Sequence, residues 1–276
     1  METPQSTHDS IGLRNLLLAL MMVLFITGVA IVGFQFVGPS IFEKDNGYIW
    51  FDGKNSGITL NANTIDLEEG MLTVWVRADE VGSQPRVILL SSSNPNSDGF
   101  GEASPDHDFS LGIIAADNPR APGRLEWTFQ TSTGGATLRS TNPFPVGSWH
   151  HIALIWKGRG RELQLLIDGS VDVKDTIGLA MQAVSERPLY EQTSIGLPFN
   201  VQSNRGFAGG MDELRIWNSA QSPFSIAWSM RKEINPQTKG LLAYWRFNTG
   251  QNMLQEEVNG IVESYPIGKP LWYPGK

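Results

Sequence analysis

Cysteine is absent from all 276 residues. Disulfides, iron–sulfur clusters, covalent haem attachment and cysteine-based zinc sites are therefore excluded. An exported domain of this chain must rest on its own hydrophobic core, which the length permits. The absence also leans toward a bacterial source. Positive charge is scarce: 21 Lys and Arg stand against 28 Asp and Glu, a net charge of −7. No basic block is present, so nucleic acid is not an expected partner. Signatures of catalysis are missing too. The chain contains no Gly-x-Ser-x-Gly, no His-Glu-x-x-His and no phosphate-binding glycine loop. The pairs Glu68-Glu69 and Glu256-Glu257 are adjacent, so in an extended chain they point opposite ways and read as solvated charges. No catalytic and no cofactor-binding residue is assigned.

What is present begins with an uncharged, apolar run from Leu16 to Val37. It is about the length of a helix that crosses a bilayer, with no polar face at any helical angle. The reading is a cytoplasmic tail over residues 1–11, a transmembrane helix over 12–38 and a linker over 39–47. Gly38-Pro39 ends the helix, since glycine caps it and proline cannot continue it. A cleavable signal peptide is the competing reading. It has a shorter apolar core and small residues at its end, whereas Phe34-Gln35-Phe36-Val37 is bulky. Arg14 precedes the span and Glu43 follows it, which places the N-terminus in the cytoplasm and the large domain outside. Gly28, Ala30 and Gly33 leave a notch where another helix can approach. Glycine is common in such spans, so the notch has a bland reading as well.

Beyond the linker, strand signals dominate. Residues 125–130 alternate cleanly, with Leu125, Trp127 and Phe129 on one face. Residues 71–77 place Leu72, Val74 and Val76 together. Residues 149–156 and 162–167 form a hairpin, and Asp168-Gly169 is a tight turn of the hairpin type. One short helix is expected at 224–232, after Ser222-Pro223. The polar stretches 91–108 and 115–123 read as long loops. Many short strands of this kind predict an all-β sandwich.

Three stretches then carry a resemblance. Trp149–Gly169 (WHHIALIWKGRGRELQLLIDG) resembles the central hairpin of laminin-G-like, concanavalin A-type jelly rolls. Gly209–Trp217 (GGMDELRIW) resembles the strand that follows, and Gly240–Gly250 (GLLAYWRFNTG) the terminal element. The resemblance implies a jelly roll of two antiparallel sheets over residues 48–250, followed by a C-terminal extension over 251–276. It does not imply one function, because the fold carries lectins, adhesion modules, glycosidases and structural domains. The Glu-x-Asp-x-Glu strand of its glycosidase members is not found here. The resemblance also implies a structural calcium, with Asp212 and Asp52 as ligands. The alternative is that Asp212 and Glu213 face water or pair with Arg215.

Two functions from different classes remain. One is a non-catalytic accessory subunit whose exported jelly roll docks on a larger membrane complex, such as a respiratory or photosynthetic one. Its partners would be membrane-protein subunits and the lipid bilayer. The other is a membrane-tethered lectin that binds glycan. The first is preferred, because no aromatic platform with nearby polar groups is visible in the sequence; the loop Asn94–Asp108 has only Phe100.

Overall fold

A computed structural model describes residues 47–60, 69–92, 108–131, 134–157, 162–176, 192–248, 254, 256–258 and 262–274. The chain divides into a unit of residues 1–42 and a unit of residues 43–276, and every described residue belongs to the second. The apolar run Leu16–Val37, with Gly28, Ala30 and Gly33, lies outside the described residues. Among the described residues no helix is long and apolar enough to cross a membrane.

Fifteen strands are found among the described residues, and they form two antiparallel sheets. Sheet A contains β1 (Tyr48–Asp52), β3 (Glu69–Ala78), β8 (His150–Lys157), β9 (Glu162–Ile167), β10 (Ser170–Thr176), β12 (Ala208–Trp217), β13 (Leu241–Trp245) and β15 (Leu271–Tyr273). Its order is β10-β9-β8-β3-β12-β1-β15, and β13 pairs with the far end of β12. Sheet B contains β2 (Gly57–Leu60), β4 (Arg86–Ser92), β5 (Asp108–Ile113), β6 (Arg124–Thr131), β7 (Gly134–Pro143), β11 (Gln192–Ile195) and β14 (Ser264–Ile267). Its order is β14-β2-β11-β4-β5-β6-β7. The all-β jelly-roll expectation therefore holds.

Period-two alternation decides which residues meet between the sheets. Leu125, Trp127 and Phe129 of β6 are all buried, as are Leu72, Val74 and Val76 of β3. Ile152 and Leu154 of β8 face Leu165 of β9 in the same core. The rings of Phe109, Trp127, Phe129 and Trp156 pack with centroids 5.3–6.3 Å apart, half of the contacts edge to face and half tilted. Asp168-Gly169 forms the β9–β10 turn with φ of 51 and 79, which is what a tight hairpin of this hand requires.

One half of the outer face of sheet A is also covered. Met71, Ile155, Leu166, Trp217 and Tyr244 form a second cluster there with Ile226. Ile226 lies on α1 (Pro223–Ser229). Ser222 caps that helix by accepting from the Ser225 N–H at 3.1 Å, and Pro223 fits its first turn.

The C-terminal residues correct the sequence reading. β14 extends sheet B by pairing with β2, and β15 extends sheet A by pairing with β1. Residues 264–273 therefore belong to the sandwich, and the domain does not end at 250. Both strands are short and largely exposed, so they carry no clean alternation. Glu256 is another correction. It is buried, and its carboxylate accepts from the Tyr244 and Val258 N–H groups at 3.0 and 2.7 Å.

Candidate functional site

The registers of three strand pairs place a continuous surface on the uncovered half of sheet A. Tyr48 pairs with Tyr273, and Trp50 pairs with Leu271. Trp50 also pairs with Gly210, and Gly210 with Arg77. The side chains of Ile49 and Phe51 point into the core, so Tyr48, Trp50 and Asp52 share the outer face. Tyr48 and Tyr273 stack with centroids 5.2 Å apart and planes 6° from parallel. Trp50 meets Tyr273 edge-on at 6.2 Å, and Trp149 meets Tyr48 edge-on at 5.1 Å. The Arg77 guanidinium lies 5.3 Å from the Tyr48 ring centre. Gly210 is the floor of this cluster. A Cβ there would stand 2.7 Å from Trp149 and 3.0 Å from Tyr48, so only glycine lets both rings rest on the sheet. Tyr273 is 40% exposed, and Tyr48 and Trp50 are half-buried.

The same strip leads into a polar cleft of about 240 Å³ at the end of β1. Asp52, Lys54, Glu80, Ser83, Gln84, Arg86 and Asn204 line it. Arg86 is held by the Glu80 carboxylate at 2.8 Å and by the Asn204 and Gly206 carbonyls at 3.2 and 3.3 Å. Trp50 Nε1 donates to Asp79 at 2.6 Å, and Asp79 also accepts from Arg77 at 3.1 Å. Asp52 lines the cleft and lies two positions along β1 from Trp50, so strip and cleft adjoin there.

Asp52 organises the β1–β2 turn. Its Oδ1 accepts from the N–H groups of Lys54, Asn55 and Ser56 and from the Ser56 hydroxyl, at 2.7–3.0 Å. Burial alone would raise its pKa, but these hydrogen bonds, led by the one from Lys54 N–H, outweigh it and lower the value from 3.8 to about 2. A carboxylate with a depressed pKa stabilises the fold fully above its unfolded value. That contribution is lost as pH falls through the folded value. Wild type and Asp52→Ala are therefore expected to differ in melting temperature at neutral pH and to converge between pH 3.8 and about 2. Thermal melts across that range check it.

The two expected calcium ligands are not brought together. Asp52 pairs with Ala208, four positions along β12 from Asp212. That is about 13 Å along the strand. Asp212 is buried at the β12 bulge beneath the covered half of the face, and its Oδ1 accepts from the Glu213 N–H at 2.8 Å. Among the described residues no group of three or more His, Asp or Glu side chains is placed to hold a metal. Glu213 does not face water; it is buried and paired with Arg215.

His150 bridges Ser148 and Asp168, with its Nε2 2.9 Å from Ser148 Oγ and its Nδ1 2.8 Å from Asp168 Oδ2. These are the spacings of a hydrolytic triad. The ring is only 5% exposed, and the Phe144 ring packs 5.4 Å away. Asp168 also accepts from the His151 N–H at 3.0 Å. None of the three lines the cleft. The trio fastens the start of β8 to the Asp168 turn.

Of the residues in this surface, the sequence marks only Asp52 as a candidate. Trp50 was legible in principle, since Tyr48 and Trp50 put aromatics on the face opposite Ile49 and Phe51. Most of the polar loop 91–108 falls outside the described residues.

A two-sheet antiparallel jelly roll is an architecture shared by binding, catalytic and structural domains. Residues 52–227 match the model of the concanavalin A-like lectin/glucanases superfamily (Laminin_G_3), and the chain belongs to that family. No curated protein matches the sequence. Among solved structures, a candidate carbohydrate-binding protein from Bacteroides ovatus is similar, with 16% identity and a TM-score of 0.57. The match covers 82% of this chain and 60% of that one. The CBM40 of the Ruminococcus gnavus sialidase, bound to α2,3-sialyllactose, is also similar, with 14% identity and a TM-score of 0.50. That match covers 68% of this chain and 98% of that one. At these identities the likeness concerns the fold. The chain thus spans under two thirds of the first neighbour and nearly all of the second.

Proposed function

We propose that this chain is a non-catalytic carbohydrate-binding protein. One observation carries the reading: an aromatic strip on β1 and β15 runs into a cleft lined by carboxylate, amide, hydroxyl and guanidinium groups. Sugars present apolar ring faces and rows of hydroxyls, and this surface offers partners for both. The named neighbours in the same fold support it. The non-catalytic part rests on Asp52. A glycosidase acid must hold its proton near neutral pH. Asp52 is instead pushed down to about 2 by the hydrogen bonds of its own turn. The test is a glycan array probed with the full chain in a detergent that has no sugar headgroup. Capture by at least one glycan class is expected. A blank array of neutral and sialylated glycans overturns the reading.

A second reading, the accessory subunit anchored by residues 12–38, is favoured by a separate observation. Phe224 and Trp228 sit one turn apart on α1 and are 78% and 65% exposed. Lys232 Nζ lies 4.1 Å over the Trp228 ring. The two rings share one helix face, and contiguous exposed apolar surface marks interaction sites. In this reading the N-terminus is cytoplasmic, the sandwich is outside, and Gly28, Ala30 and Gly33 pack against a partner helix. Gly28→Leu with Gly33→Leu is then expected to release the protein from co-purifying subunits while leaving it in the membrane fraction. Unchanged co-purification would remove that docking surface.

A further inference from the structure

We infer that the aromatic strip is a track for a neutral polysaccharide chain, which enters the cleft at Asp52 and runs along β1 to Tyr273. This rests on the carbohydrate-binding reading and adds the class of ligand. The first argument is length. Tyr48 and Asp52 are four residues apart on one face, about 13 Å along the strand. Tyr273 stands beside Tyr48 on the next strand. A surface this long exceeds a single sugar ring, so a monosaccharide would leave most of it empty.

The second argument is chemistry along the way. The Tyr273 ring is stacked on Tyr48, which fixes its plane. Asp79 is exposed and takes hydrogen bonds from Trp50 and Arg77 on different oxygens, so each oxygen keeps acceptor capacity for sugar hydroxyls. The third argument is charge. Arg77 is paired with Asp79, and Arg86 with Glu80. The chain carries a net charge of −7. Across the strip and cleft Lys54, Arg77 and Arg86 are matched by Asp52, Asp79 and Glu80, so the surface holds no surplus of positive charge for a sugar carboxylate.

The fourth argument is position. Tyr48, Trp50, Leu271 and Tyr273 all lie outside residues 52–227, the part that matches the family model, so that match does not account for the strip. Its outer strand is held in place from beneath: Trp272, on the opposite face of β15, donates from Nε1 to the Phe247 carbonyl at 3.0 Å.

The experiment is titration calorimetry with the full chain in a detergent free of sugar headgroups. The probes are cello-, xylo-, manno- and arabino-oligosaccharides, their monomers, and 3′-sialyllactose. At least one neutral series is expected to bind more tightly as it lengthens. Tyr273→Ala is expected to abolish that gain, a loss of roughly tenfold on the longest oligomer, and to leave monosaccharide affinity unchanged. Tyr273→Phe keeps the ring and is expected to bind as wild type, which separates loss of the platform from loss of the fold. Affinity independent of length, or a Tyr273→Ala variant equal to wild type, overturns the track and leaves the carbohydrate reading standing. Tighter binding of 3′-sialyllactose than of any neutral oligomer overturns the neutral class. No binding of any neutral series overturns the track, and the glycan array then decides whether the broader reading falls with it.

Discussion

Trp127→Ala is expected to lower the unfolding free energy by about 3–5 kcal/mol, as large core truncations do. Trp127 is fully buried at the centre of β6 and touches the rings of Phe109, Phe129 and Trp156. These rings come from both sheets, so the cavity would open across the whole thickness of the sandwich. The surrounding rings pack against it at steep angles, edge-on or tilted, and partial relaxation leaves a cavity. Domains hold only about 5–15 kcal/mol in total. Chemical denaturation should show the midpoint falling sharply, and expression should drop with it. An unchanged midpoint would show that the ring is not part of the core.

Arg215→Met is expected to cost a similar amount, about 3–5 kcal/mol, by a different route. Arg215 is buried under α1 and paired with Glu213. Its guanidinium also donates to the Lys232 carbonyl at 2.6 Å, and Tyr244 donates its hydroxyl to Glu213. Burial, together with the negative charge of Glu213, pushes the Tyr244 pKa well above its usual value. The phenol therefore stays protonated and keeps donating. Removing the arginine leaves a buried carboxylate with its cation gone. Arg215→Met combined with Glu213→Gln is expected to recover part of the loss, because no charge is then stranded. Denaturation of the single and double variants measures the coupling directly. Additive losses would show that the pair does not act as a unit.

The core strands were legible because burial on one face writes a period of two into the chain. Residues 125–130 and 71–77 show it without ambiguity. The turn at Asp168-Gly169 was legible because few residue pairs accept its backbone angles. β14 and β15 were not, since three or four exposed residues at a sheet edge carry no alternation. The surface proposed to bind glycan was hidden for a related reason. Its members come from positions 48–54, 77–86, 204 and 271–273, and only strand order makes them neighbours. The pairing of Glu213 with Arg215 was one reading the sequence offered, but its burial was not legible. A charged residue at a bulge, with φ of 51, gives no sequence sign that a helix will cover it. Asp212 and Asp52 were joined by resemblance, and the register of β1 on β12 sets them apart.

The pairing of β1 with β15 also bears on how the domain folds. Among the described strands, the first, β1, lies between β12 and β15, so both of its neighbours are distant in sequence. Contacts of such sequence separation carry a large loop-closure penalty and slow the search. During synthesis, Ile49 and Phe51 must wait with their apolar faces open until residues near 210 and 272 have left the ribosome. Until then that apolar face is open to non-native contacts. A gene truncated at residue 227, where the family match ends, would leave that waiting strand with one edge permanently bare.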